Sequence, residues 1–252
     1  MILRAMRAEW IKLRTVTVTW VLAAITVALP LLVSLLTAFF QADDRGYDSR
    51  RMMENITGSL SLTALLHAVL AATTVTTEFG FNTIRPTFVA VPRRGVVVAA
   101  KALVGVLLAG GLTAAVLVVQ VVGSLVIADA QGAEVAVGDV PTAVPAMVGA
   151  VVLAMLMALA GLGVGMVLRS TPGAVTLLLA WPLLGESLIG GIIGVITDSE
   201  EVMRWLPFQC GFRLVQLELF EGPSRPVSGF VFGAVAAGLL ALGGWLVQRR
   251  DA

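Results

Sequence analysis

Two ionisable side chains lie deep inside apolar runs: Glu186 in WPLLGESLIGG, and His67 midway along 56–77. A charge at the centre of a membrane span costs about 2.5–3.5 kcal/mol on insertion scales, so such groups mark relays, transport paths or interhelical ties. Pro182, Gly185, Gly190 and Gly191 predict a kinked or broken helix around Glu186, with freed backbone groups that its carboxylate can satisfy. Glu186 therefore reads either as a staple between an irregular helix and its neighbour or as a group lining a transport path. His67 reads as a helix–helix hydrogen-bond partner, or as a proton relay together with Glu186. Ser187 and His67 make a superficial nucleophile pair, but no glycine follows at elbow spacing and His precedes Ser in the chain. A single cysteine, Cys210, and a single histidine exclude an internal disulfide and argue against a Cys/His metal site. No G-x-x-x-x-G-K-[ST] phosphate cradle occurs, so ATP hydrolysis by that route must come from another chain.

The other chemistry on offer is recognition. Residues 78–101, EFGFNTIRPTFVAVPRRGVVVAAK, form a basic, proline-punctuated segment between two long apolar runs. Gly80 and Asn82 permit left-handed backbone and hence a sharp turn. Pro86 is expected to push Arg85 out of the helical region, and Pro92 to do the same to Val91. That leaves Thr87–Ala90 as one short helical turn. Arg93, Arg94 and Lys101 need no role beyond setting membrane orientation, whereas the Gly, Thr, Pro and Phe punctuation points to a prestructured docking knob.

These residues need spans to position them. The chain has 252 residues, 58% hydrophobic and 13% charged, against about 45–50% and about 25% in soluble domains. This composition predicts an all-α polytopic membrane protein in one transmembrane domain, with six spans at 15–40, 56–77, 102–128, 143–168, 173–196 and 228–247. Of 17 Lys and Arg, those on one side are Arg4, Arg7, Lys12, Arg14, Arg85, Arg93, Arg94, Lys101, Arg169, Arg249 and Arg250. The positive-inside rule then puts both termini in the cytoplasm. Asp43, Asp44, Asp129, Glu134, Glu200 and Glu218 fall on the outer side. The first apolar run is expected to stay as an anchor rather than be cleaved as a signal peptide. Segment 197–227, with Trp205, Leu206, Phe208, Phe212 and Phe220, is too long and apolar for a simple turn, and predicts short helices dipping back toward the outer interface. The pairs Gly161/Gly165, Gly190/Gly194 and Gly229/Gly233 have helix-packing spacing.

In residues 1–14, Leu3, Met6, Trp10 and Leu13 recur at helical spacing, away from Arg4, Arg7, Lys12 and Arg14. This pattern predicts an amphipathic helix lying in the membrane interface, with its basic face meeting lipid headgroups or a partner protein.

Glu78, Phe79, Phe81, Thr83-Ile84-Arg85-Pro86-Thr87, Pro92-Arg93-Arg94 and Lys101 together resemble the second cytoplasmic loop of membrane subunits of type-2 ABC exporters, the six-span actinobacterial kind. The opening Arg7-Ala8-Glu9-Trp10-Ile11-Lys12-Leu13-Arg14 and the later Trp205-Leu206-Pro207-Phe208 are similar to that family too. Gly80 and Asn82 depart from it, standing where a basic residue and a glycine are usual. The resemblance implies that 78–101 is a coupling loop docking in an ATP-binding subunit, with Glu78, Thr83, Arg85, Phe88, Arg93 and Arg94 on the coupling surface. It also implies that this chain binds no cofactor, that ATP and Mg sit on the partner ATPase, and that a second permease subunit, identical or not, completes the membrane unit. A bacterial cytoplasmic membrane location, lipid contacts, no nucleic acid, and export of a hydrophobic or amphipathic cargo follow from the same resemblance. The alternative is a proton-coupled secondary transporter using Glu186 and His67. It predicts paired broken helices in two internal repeats, and the fifth-span pattern has no convincing second copy.

Overall fold

In hydrocarbon every backbone polar group must be satisfied within the protein, which leaves helices or closed barrels. The computed structural model, which describes residues 1–42, 47–91, 93–198, 201–219 and 221–249, is helical, with no strand among those residues. Asp43, Asp44, Pro92, Glu200, Phe220 and Arg250 lie outside them. The helices are α1 (Ile2–Thr15), α2 (Thr17–Gln41), α3 (Ser49–Gly80), α4 (Ile84–Ala90), α5 (Arg94–Ala130), α6 (Ala143–Leu168), α7 (Thr171–Ala180), α8 (Glu186–Thr197), α9 (Glu201–Arg204), α10 (Pro207–Arg213) and α11 (Arg225–Arg249). A wider, π-type winding over Trp181–Gly185 joins α7 to α8, where Pro182 and Gly185 predicted a break. Six segments are long and apolar enough to cross a membrane: α2, α3, α5, α6, α7–α8 and α11.

Helices do not stop where apolarity stops. At 32 residues α3 is about 48 Å long, well beyond about 30 Å of hydrocarbon. It begins at Ser49 because Asp48 caps it, accepting from the Arg51 N–H at 2.7 Å. Its first turns carry Arg50, Arg51 and Glu54 past the apolar stretch. In the same way α5 starts at Arg94, before its apolar run.

The core centres on α3 and α6, where Met52, Met53, Ile56, Leu60, Leu153 and Met157 are fully buried. Close approach there requires glycine. A Cβ on Gly161 would overlap the Ala68 carbonyl of α3, and one on Gly163 would meet the Leu239–Leu240 backbone of α11 at 2.5–2.7 Å. By contrast, the apolar windows of α2 and α7–α8 are only 22% and 17% buried, against 72% for α3, so these two spans are peripheral.

Segment 201–219 folds back onto the bundle. Phe208, Cys210, Leu214 and Val215 are buried, and the Phe208 ring lies 5.1 Å from Phe232 of α11. At the opposite end, Arg94 Nη1 donates to the Val247 carbonyl at 2.7 Å, joining the start of α5 to the last turn of α11. The start of α5 and the last turn of α11 therefore lie at the same end of the bundle. Arg94 is a C-terminal cap for α11 as well as a basic residue at a membrane boundary.

Candidate functional site: a ring of four charges under the N-terminal helix

Helix α1 ends in Lys12 and Arg14, cations that suit a helix C-terminus, and the chain then turns through extended Val16 (φ −94°, ψ 116°). The Trp20 indole N–H donates to the Arg14 carbonyl at 3.0 Å and pins this hinge. The face of α1 packed on the protein is Ala5 and Glu9, while Leu3 and Trp10 are 76% and 46% exposed. Leu3 and Trp10 thus point away from the bundle, whereas Met6 and Leu13 of the same stripe are half-buried. The polar part of its contact with the protein is made by charge. Arg7 and Arg14 are exposed.

That charge forms a closed ring. Lys101 Nζ of α5 lies 2.5 Å from Glu9 Oε2 and 2.7 Å from Glu78 Oε1 at the end of α3. Lys12 Nζ lies 2.8 Å from Glu9 Oε1 and 3.0 Å from the same Glu78 oxygen. Two cations and two anions alternate, so the ring is neutral. Glu9, Glu78 and Lys101 are buried and Lys12 is partly so. Burial pushes the Glu9 carboxyl up, but the charges and hydrogen bonds of Lys101 and Lys12 outweigh it and hold the group below its usual range. Burial likewise pulls Lys12 down, and Glu9 and Glu78 outweigh it and hold the ammonium above its ordinary value.

From this ring one bond reaches the short helix α4: Lys12 Nζ donates to Thr87 Oγ1 at 3.1 Å. Ahead of α4, Asn82 takes the left-handed conformation (φ 57°) while Gly80 stays helical, so Asn82 alone makes the sharp turn. Helix α4 is longer than the expected turn and includes Arg85. Pro86 occupies its third position, in the first turn, where a missing N–H leaves no intrahelical bond unmade, so proline is tolerated there. Thr83 is exposed; its hydroxyl reaches the Glu78 carbonyl at 3.5 Å, and its own carbonyl accepts from Thr87 Oγ1 at 3.2 Å. Arg93 is exposed ahead of α5. The side chains of Arg85 and Phe88 lie outside the described residues.

The intramembrane polar residues separate. His67 Nδ1 bonds the Thr63 carbonyl of its own helix at 3.0 Å, rather than a neighbouring helix. Its Nε2 has no partner among the described residues, and the ring borders a cavity of about 30 Å³ shared with Glu9, Thr74 and Lys101. Glu186 lies elsewhere. Its two oxygens accept from the Phe208 and Gln209 N–H groups, both at 3.0 Å, at the first turn of α10. The carboxylate thus caps another helix and does not satisfy its own interrupted span. Ser187 is exposed and reaches only the Leu183 carbonyl, at 3.5 Å, so no Ser/His pair forms.

Sequence reasoning missed Glu9 and Gln120, and it gave Lys101 only an orienting role. Glu9 had a visible signal: a lone acid among four bases in 1–14, three residues before Lys12. Gln120 is fully buried and donates to the Pro30 carbonyl of α2 and the Ser59 hydroxyl of α3, both at 2.9 Å. It ties α2, α3 and α5 together through one buried side chain.

A bundle of six membrane-length helices, with the N-terminal helix and a short helix joined through buried charges at one end, defines a polytopic membrane protein. The family model for ABC-2 family transporter protein matches residues 5–183, about seven-tenths of the chain. The chain belongs to that family, whose members are membrane subunits of ABC transporters. No curated protein matched it at a significant level. The matched span contains the whole ring and α4, whereas α8 to α11, including Glu186, follow it.

Proposed function

We propose that this chain is the transmembrane subunit of an ATP-driven exporter in a bacterial cytoplasmic membrane, with both termini in the cytoplasm. ATP and Mg are bound by separate ATP-binding subunits, and a second permease subunit, identical or related, completes the pore. The 78–101 segment is the coupling loop, with Glu78, Thr83, Arg85, Phe88, Arg93 and Arg94 in or beside the surface that the ATPase grips. The observation that carries this reading is the ring. Lys12 touches Glu9, Glu78 and Thr87 at once, so a force on α4 is delivered to α1 and the ends of α3 and α5 together. A loop serving orientation alone needs no such linkage. The exposed apolar faces of α2 and α7–α8 suit a lipid-like cargo path or a partner subunit.

A proton relay between Glu186 and His67 has no shared contact to stand on, since one is held by α10 amides and the other by Thr63. The test is purification of the tagged chain from its native membrane in mild detergent. A stoichiometric Walker-motif ATPase should co-purify, and Arg85→Glu should abolish its stimulation. A clean preparation with no ATPase, under conditions that preserve other membrane complexes, would favour the secondary transporter.

A further inference from the structure

The side of α1 turned away from the ring borders a groove of about 490 Å³ against α5. This lies within the about 300–1,000 Å³ typical of sites for small ligands. Met6, Arg7 and Trp10 form one wall, and Leu107, Gly111 and Leu112 belong to the other. The groove runs along α5 from Val104 to Leu112, about 12 Å at helical rise. Arg7 is its only charged wall residue, is exposed, and pairs with no carboxylate among the described residues.

We propose that this groove binds one anionic phospholipid, with an acyl chain along α5 and the phosphate on Arg7. The groove is apolar along its length with one unpaired cation in its wall, which matches a lipid tail ending in a negative headgroup. Trp10 is half-exposed in that same wall, an amphipathic ring of the type that settles at headgroup level. Helix α1 is then held from both sides, by the charge ring beneath and by the lipid beside it. Lipid occupancy therefore favours the docked position of α1. That consequence rests on the coupling role proposed above; the site itself does not.

The experiment is native mass spectrometry of the delipidated, purified membrane subunit, titrated with phosphatidylglycerol or phosphatidylcholine of identical chains. Phosphatidylglycerol should bind one-to-one and more tightly. Arg7→Gln should weaken it about fivefold, toward phosphatidylcholine, the effect of one cation near an anionic headgroup. Gly111 has open space where a side chain would go, so Gly111→Leu should fill the groove without disturbing packing and reduce binding of both lipids. Equal binding of the two lipids by the unaltered protein, or full phosphatidylglycerol binding by the Gly111→Leu variant, would overturn the proposal. So would efficient cross-linking between copies through Leu107→Cys, because a second subunit would then cover the groove. No ATPase enters these readouts, so their failure leaves the coupling reading standing.

Discussion

Glu78 and Glu186 are both buried carboxylates in membrane-length helices, and they are satisfied in opposite ways. Glu78 Oε1 takes two lysine ammonium groups from different elements, while each oxygen of Glu186 takes one backbone amide from a single short helix. The first arrangement joins three helices, α1, α3 and α5, and the second fastens a local fold-back of 22 residues. Charge–charge bonding of long side chains can tolerate a shift of the partners. A carboxylate capping two adjacent amides fixes one geometry. On the proposed reading, one end of the bundle passes on movement and the other holds still.

The sharpest break of this comparison is Lys101→Met. It leaves two buried carboxylates facing one lysine, and removing one partner of a buried pair costs about 3–5 kcal/mol. Thermal unfolding in detergent should show that loss. Adding Glu9→Gln restores one cation to one anion and should recover part of it, within the about 0.5–3 kcal/mol coupling of contacting residues.

At the static end, Glu186→Gln removes charge-assisted bonds worth about 1.5–3 kcal/mol. Its effect should stay local. Cys210 is buried beside these amides, and burial raises its thiol pKa, so it should be nearly inert to maleimide until Glu186→Gln loosens α10. Docking of α1 should be unchanged in that variant. Fast Cys210 labelling in the unaltered protein would erase the distinction between the two ends.

A smaller effect follows from pH. Glu9 titrates below its ordinary 4.5 when docked, so its contribution is complete above that value and is lost as pH falls through the folded value. Lys12 titrates above its ordinary 10.5, so its contribution is complete below that value and is lost as pH rises through the folded one. Fluorescence of a variant retaining only Trp10 should therefore be flat between these limits and change outside them. The smallest effect should come from Arg50→Gln. The ion pair of Arg50 with Glu218, at 2.6 Å, is half-exposed on both sides, and its loss should leave the unfolding midpoint essentially unmoved.

The number of membrane-length helices was legible because apolar length is a coarse property that hydrocarbon enforces. The left-handed turn at Asn82 and the interrupted fifth span were legible from residue type. The ring was not, because its members are scattered from Glu9 to Lys101 and each has a sufficient local explanation in the positive-inside rule or a helix end. The place of Lys12 was misread for a related reason. Amphipathic spacing sets Lys12 apart from the apolar stripe, but does not show that its ammonium turns to Glu9 and Glu78. Pro86 was misread because a proline in the first turn of a helix looks, in sequence, like a helix breaker.

The measurement closest to the central claim is ATP hydrolysis by the reconstituted complex with Lys12→Met in place of the unaltered chain. Among the described residues, Lys12 is the one side chain linking Glu9, Glu78 and the α4 hydroxyl. If the ring transmits movement from α4 to the spans, the ATPase should still co-purify with the variant while its stimulation by the membrane subunit falls sharply. Full stimulation in an intact complex would show that α4 communicates with the spans without the ring.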